Sequence, residues 1–315
     1  MGNQIIWLTG ASGFIGRCVA AELRTHGHRV FCFSNAGIGD RPAETAGDER
    51  HPLDFLDAAQ IQSQVRQFGL PDVFIHLAWG DMAQPETNRH LEENVKAGQT
   101  LIDTLYDAGL KKFIFIGSMT EYGGRLGALQ EDMPPEGRLT NYAIGKIKVT
   151  EHGYARAAEL KRIFLHIRPF FVFGAGQRKG SLINDLHEAF QAGREVQLGP
   201  CEHYRDFIHV SDVAQGVRRL LPVEASTTVN LGSGSVIQVK EYVKMFWAQF
   251  GGDPATLKFG ARPMRANEPE QPQSYADLTR LKQLTGWTPS LNLKQGIART
   301  VADLQLASPA GAKVS

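Results

Sequence analysis

Hydrophobic and polar positions follow two alternating rhythms along the first half of the chain. Gln4-Ile5-Ile6-Trp7-Leu8 is a nearly unbroken apolar run closed by Thr9-Gly10, as a strand buried on both faces should be. Phe14 to His26 then carries apolar residues at helical spacing and stops at Gly27, a suitable C-terminal cap. The exchange repeats. Arg29–Phe33 and Asp72–His76 predict strands, and Asn88–Ala108 a long amphipathic helix ending at Gly109. Lys112–Gly117 predicts a further strand, Asn141–Leu160 a helix, and Arg162–Ile167 a strand halted by Pro169. Such strand–helix units with short links argue for an α/β fold built on a doubly wound parallel sheet.

Beyond Pro169 the rhythm changes, and glycine, proline and short mixed elements dominate from Gly174 to Arg205. A helix is expected at Val210–Leu221, a strand at Thr228–Leu231, and helices near Gln238–Phe250 and Leu293–Leu304. We read residues 1–170 as the sheet domain and 171–306 as a smaller α/β lobe, with some chain crossing back to the first. The small, polar residues 307–315 read as a flexible tail.

One turn in this frame carries chemistry. Thr9-Gly10-Ala11-Ser12-Gly13-Phe14-Ile15-Gly16 joins the first strand to the first helix. Gly10 permits the tight turn, Gly13 lets backbone approach a pyrophosphate, and Gly16 lets the helix pack close to the sheet. Strand before and helix after supply the context that makes the pattern a dinucleotide cradle of the Rossmann type. An acidic residue about 20 positions on would bind the ribose hydroxyls of NAD. The end of the second strand instead offers Ser34-Asn35. A 2′-phosphate would meet no repulsion there, and Arg17 and Arg41 are candidate cations for it, so NADP(H) is favoured. Asp40, turned inward, would reverse the preference to NAD(H).

Composition narrows the setting. The 315 residues are 42% hydrophobic and 21% charged, with a formal net charge of +1. No clustered positive excess draws the chain to nucleic acid or an anionic membrane. No apolar stretch approaches the roughly 20 residues that span a bilayer. The start shows no signal-peptide pattern, and Ile6 stands where myristoylation needs Ser or Thr. The cytoplasm is the expected compartment. The three cysteines (Cys18, Cys32, Cys201) and the histidines show no ligand spacing, so no metal is expected.

Tyr142-Ala143-Ile144-Gly145-Lys146 places a phenol and an amine four residues apart on one helix face. A nearby ammonium stabilises phenolate, so the tyrosine pKa is expected to fall from its usual value of about 10. Such a tyrosine can give a proton to a carbonyl oxygen or take one from an alcohol while hydride moves. Ser118, where the preceding strand ends at the carboxyl edge of the sheet, can hydrogen-bond the reacting oxygen. Lys146 would also hold the nicotinamide ribose, and Asn94 is a candidate for bracing the lysine through water.

With these residues in place, the sequence resembles the extended short-chain dehydrogenase/reductase family, in particular its nucleotide-sugar epimerase, dehydratase and reductase branch. Asp54 in Pro52-Leu53-Asp54-Phe55 resembles the family's adenine-contacting aspartate. His76-Leu77-Ala78-Trp79 resembles the loop under the cofactor, with Trp79 replacing a small residue. Arg205-Asp206-Phe207-Ile208-His209-Val210 with Asp212-Val213, and Gly286-Trp287-Thr288-Pro289, resemble its nucleotide-sugar signatures. The resemblance implies that Arg205 meets the nucleotide diphosphate, with Arg265 joining it and Arg262 as a rival. It puts Trp79, Met119 and Thr120 beside the substrate, and it implies a homodimer formed through the helices at Asn88–Ala108 and Asn141–Leu160.

Departures from the family pattern shape the expected reaction. The dehydratases carry an Asp-Glu pair where Met119 and Thr120 stand, so dehydration is not expected. Glu121 reads as a surface or supporting acid, or as a substrate contact. Phe171 stands where the family often has an asparagine touching the nucleotide. The expected activity is NADPH-dependent reduction of a nucleotide-linked 4-keto-6-deoxyhexose. NAD-dependent 4-epimerisation is the alternative, and a non-catalytic nucleotide sensor is disfavoured because tyrosine, lysine and serine are all present.

Overall fold

The computed structural model describes residues 2–35, 50–263 and 273–307. The first half runs β1 (Ile5–Thr9), α1 (Phe14–Thr25), β2 (Arg29–Ser34), β3 (Arg50–Pro52), α2 (Ala58–Phe68), β4 (Val73–His76) and α3 (Val95–Asp107). It continues through β5 (Lys112–Ile116), β6 (Gly127–Leu129), α4 (Asn141–Leu160), β7 (Ile163–Pro169) and β8 (Phe171–Phe173). Then come α5 (Leu182–Gln191), β9 (Tyr204–Arg205), β10 (Phe207–His209), α6 (Val210–Leu220), β11 (Thr227–Leu231) and β12 (Ile237–Gln238). The last described elements are α7 (Val239–Phe250), β13 (Ser274–Ala276), α8 (Thr279–Thr285) and α9 (Leu293–Ala307).

Seven of the described strands pair in parallel in the order β11-β7-β5-β4-β1-β2-β3. The chain winds outward from β1 one way through β2 and β3, and the other way from β4. The carboxyl ends of β1 and β4 therefore flank the crevice where such sheets bind ligands. Alternate side chains feed two unlike layers. Ile6, Leu8, Val30, Cys32, Ile75, Ile114 and Leu165 form an aliphatic face against α1 and α6. Trp7, Phe31, Phe33, Phe74, Phe113, Phe115 and Phe164 form an aromatic face against α2, α3 and α4. Rings that large need small helix residues opposite them: a Cβ on Gly153 of α4 would lie 2.2 Å from the Phe164 ring. Each fully buried aliphatic side chain of such a core contributes about 1.5–3 kcal/mol.

The structure departs from the sequence pattern in four places. The helix expected from Asn88 enters through a wide π-helical turn, His90–Asn94, before α3 begins. Short α2 buries only Ile61 among its residues, too thin a stripe to predict, and α5 lies in the stretch expected to be irregular. The strand expected to stop before Pro169 runs through it, because Pro169 pairs with Leu231 at the end of β11. Residues beyond 170 thus return to the sheet, with β11 at its edge and α6 against α1. The rest of that region packs its own core, including Phe173, Leu186, Tyr242, Phe246, Ile297 and Val301.

The acids of the Arg205–Val213 motif tie loops together. Asp206 accepts from Ser233 N and Oγ (both 2.6 Å), Gly234 N (3.1 Å) and Ala276 N (3.0 Å). Asp212 accepts from Ser290 Oγ (3.0 Å) and Leu291 N (3.1 Å), which fastens the chain just after Gly286–Pro289.

Candidate active site

The glycine turn is built by close backbone approach. Gly10 has φ 77°, and a Cβ there would sit 2.7 Å from Ala78 N. A Cβ on Gly16 would sit 2.0 Å from the Gly10 carbonyl oxygen. Helix α1 starts after Gly13 with no side-chain cap and no acid in its first turn. Its leading N–H groups, spanning Phe14, Ile15 and Gly16 beside Ser12, are thus left for an anion, and the cradle fits a pyrophosphate. Ala78 N donates to Thr9 Oγ1 (3.3 Å) and Leu77 N to Thr9 O (3.3 Å), which seats the Leu77–Ala78 loop beside that turn. Thr9 Oγ1 also meets His76 Nδ1 at 2.7 Å. Burial, aided by the Lys146 charge, pushes His76 down to about 3.

Ser34 closes β2, its carbonyl accepting Leu53 N at 2.9 Å, and half-buried Asn35 follows. Neither carries a charge. Asp54 shapes the next turn, Oδ1 accepting Leu56 N at 2.9 Å. Arg17 donates to the Ala175 carbonyl at 2.9 Å, linking α1 to the loop after β8. Asp40, Arg41 and Arg265 lie outside the described residues.

Ser118, Tyr142 and Lys146 come together beyond β5. Ser118 caps a short turn, Met119–Tyr122, in which its Oγ accepts Thr120 N (3.2 Å) and Thr120 Oγ1–H (2.9 Å). Helix α4 begins at a Thr140 cap, Oγ1 accepting Ala143 N at 3.2 Å, so Tyr142 stands in its first turn, where it hydrogen-bonds Ser118. Lys146, one turn on, donates to the Ile116 carbonyl at 2.8 Å.

The expected fall in the Tyr142 pKa is not found. Burial pushes the phenol up to about 12; the Ser118 hydrogen bond opposes this and the Glu121 charge adds to it. Lys146 is brought down to about 7 by burial, which the Glu121 charge partly offsets. The physical reason is common to both. Each group is shut away from water, which disfavours whichever form is charged.

Glu121 supports this cluster from behind. It is buried, accepting Ser118 N at 2.7 Å and His166 Nε2 at 3.2 Å on Oε1, and Arg168 Nε at 3.0 Å on Oε2. Burial raises its pKa, but His166, Arg168 and the Ser118 N–H outweigh this and hold the carboxyl below its ordinary range. It is neither a surface acid nor aimed at open space. The signal was in the sequence: Ser118-x-x-Glu121 has the spacing of a capping box, and both of its hydrogen bonds form. His166 and Arg168 carried no such signal, because they arrive from β7, more than forty residues later in the chain.

The other expected site residues divide. Asn94 uses its amide on Gly80 and His90 rather than on Lys146 (Oδ1 to Gly80 N, 3.1 Å; Nδ2 to His90 Nδ1, 3.2 Å). Trp79 lies over Lys146 and edge-on to Tyr142. Met119 packs on Tyr122, Leu129 and Phe170, while Thr120 is exposed. Arg205 lies with its guanidinium 4.7 Å from the Phe171 ring centre and donates to Tyr204 O. The phenylalanine that replaces an expected asparagine is therefore a platform for this arginine.

A dinucleotide cradle alone marks many proteins; the Ser–Tyr–Lys cluster two strands along the sheet from it narrows the class to nicotinamide-dependent oxidoreductases of the short-chain dehydrogenase/reductase kind. The model of the NAD dependent epimerase/dehydratase family matches residues 6–232, and the chain belongs to that family. A UDP-glucose 4-epimerase of Mycolicibacterium smegmatis is 27% identical, covering 93% of this chain and 96% of its own. A GDP-6-deoxy-D-mannose reductase of Pseudomonas aeruginosa is 26% identical, covering 96% and 97%. Among solved structures, MoeE5 in complex with UDP-glucose and NAD superposes with a TM-score of 0.80 at 26% identity, covering 97% of this chain and 99% of that one.

Proposed function

We propose that the protein reduces the 4-keto group of a nucleotide-linked 4-keto-6-deoxyhexose with NADPH, a step of deoxysugar biosynthesis. The observation that carries this reading is the grouping of Tyr142 with Ser118, to which it hydrogen-bonds, and Lys146 one helical turn on. The Tyr142 side chain, which burial keeps in the phenol form at neutral pH, can then give its proton to a ketone oxygen as reduction requires. Ser118, its amide held by Glu121, aligns the same oxygen. When bound, NADPH supplies the hydride. The glycine turn with Ser12, Phe14 and Ile15 holds its pyrophosphate, Leu77 and Ala78 underlie it, Asp54 serves the adenine, and Lys146 serves the nicotinamide ribose. Ser34 and Asn35, which carry no charge, support NADP over NAD, because a carboxylate there would repel the 2′-phosphate. Arg205, carried on Phe171, meets the diphosphate together with Arg265, and Met119 and Thr120 flank the sugar. The same proposal makes the protein a cytoplasmic homodimer joined through α3 and α4. Among the described residues no helix is long and apolar enough to cross a membrane.

Likeness to a UDP-glucose 4-epimerase, as close as that to the reductase, favours a second reading, in which retained NAD takes and returns hydride at C4. One assay separates the two. The purified protein is mixed with NADPH or NADH and with nucleotide-linked 4-keto-6-deoxyhexoses generated in place. Stoichiometric loss of reduced-cofactor absorbance, faster with NADPH, is expected. Sugar stereoisomers interconverting without net oxidation, with NAD retained through purification, would replace the reductase by the epimerase.

A further inference from the structure

Trp79 stands where the family pattern has a small residue, and hydrogen bonds hold it there as well as packing. Its Nε1–H donates to His90 Nδ1 at 3.1 Å. His90 donates from Nε2 to the Gln84 carbonyl at 3.0 Å, which leaves Nδ1 as the acceptor. Asn94 Nδ2 donates to the same Nδ1 at 3.2 Å and to Gly80 O at 3.3 Å, while its Oδ1 takes the Gly80 N–H. His90 and Asn94 are the two ends of the π-helical turn, so that wide turn places both partners against the Trp79–Gly80 backbone. The result is an indole plane perpendicular to the Tyr142 ring, at 90° and 6.1 Å between centres. Its face lies 3.9 Å from Lys146 Nζ, closer than the Phe115 ring at 4.7 Å. Gly145 gives the indole its room, since a Cβ there would lie 3.1 Å from the Trp79 ring.

We propose that Trp79 is a positioning residue for Lys146: its π face, locked by His90 and Asn94, stabilises the ammonium form and sets the pH at which the lysine loses its charge. This rests on the reading of Lys146 as the working cation of the site. An indole face attracts a cation most strongly where water is excluded, and Lys146 is buried. The other titratable groups around it do not substitute for that face. Glu121, on the turn after β5, favours the ammonium through its charge. His76 on β4 and His166 on β7 are both lowered by burial, and Tyr142, on the same helix, is raised by it. Taking the indole away leaves desolvation less opposed, so the lysine should deprotonate at lower pH.

The test is a titration of the protein without cofactor or substrate. Lysine labelled with 13C at Cε is followed by NMR across pH, the Lys146 signal being assigned by its absence in Lys146→Met. In Trp79→Leu the midpoint should fall by about 0.5 to 1.5 pH units, the size expected for loss of a cation–π contact. Trp79→Phe keeps a face but loses the bond to His90, and should fall between; it also carries the test alone if the leucine variant does not fold. An unchanged Lys146 midpoint in the folded variants overturns the proposal. The pH profile of kcat then separates it from the reading beneath it. A profile that follows the midpoint supports both. A midpoint that moves under an unmoved profile upholds the Trp79 effect and removes Lys146 as the working cation.

Discussion

Replacing Glu121 by Gln exchanges one oxygen for an amide nitrogen in the most enclosed part of the site. Oε2 would become, or be displaced by, a group that cannot accept from Arg168 Nε, now 3.0 Å away. Removing one partner of a buried ion pair costs about 3–5 kcal/mol because the other charge stays behind. Arg168 keeps a bond to the Glu131 carbonyl and its place over the Tyr122 ring, and the new amide oxygen can still accept from Ser118 N. The expected loss is therefore about 2–4 kcal/mol. At roughly 2 °C per kcal/mol, the low end suited to a long chain, Tm should fall by about 4–8 °C. The pH dependence has a definite sign. A carboxyl whose folded pKa lies below its unfolded value stabilises above the unfolded value and loses this as pH falls through the folded one. The stability gap between wild type and variant should accordingly narrow below about pH 4.5. Because the side chain that holds the Ser118 amide would no longer be anchored by Arg168, kcat should drop by about 10- to 100-fold, the scale of a small misplacement, with little change in cofactor affinity. Denaturant titrations at several pH values, with steady-state kinetics, check this. A variant as stable and as active as wild type at pH 7 would refute the argument that Glu121 holds the site in place.

Other expectations follow from single contacts. Tyr142→Phe should lower turnover by about 10²–10⁴-fold while leaving cofactor binding unchanged, since only the proton donor is removed; parallel loss of binding, by fluorescence titration, would point to a structural role instead. Gly16→Ala places a Cβ 2.0 Å from backbone, so the turn must open, and NADPH affinity should weaken by at least about tenfold; unchanged affinity in that titration would contradict the cradle. His76, lowered by burial to about 3, is a histidine kept neutral in the fold. Its stabilisation is complete above the unfolded value of about 6.5 and is lost toward pH 3, at about 1.4 kcal/mol per unit. His76→Phe should flatten the stability curve between pH 6.5 and 4 in denaturant titrations, and an identical slope would exclude His76 as the source.

Much of this site was legible because its parts are local. The glycine spacing from Gly10 to Gly16 and the four-residue step from Tyr142 to Lys146 are each set within about two turns of backbone, so residue order alone places them. The apolar runs likewise predicted most strands of the sheet, since a strand buried on both faces has little freedom in composition. The expectation for Glu121 reached its supporting role but not its buried ion pairs, for a related reason. Its capping box with Ser118 is local and could be read, but the cations that bury it come from β7.

What the sequence determined by itself was therefore the period of each element, the turns that only glycine allows, and the chemical types gathered at the carboxyl edge of the sheet. Tertiary structure decided the environment of those groups. Burial of the first turn of α4 reversed the expected Tyr142 shift, the π-helical turn aimed Trp79 at Lys146, and β11 returned across more than fifty residues to complete the sheet beside β7. Local geometry follows from covalent connection and hydrogen bonding between near neighbours. Desolvation and ring faces depend on which distant segments pack together, and no spacing along the chain encodes that directly.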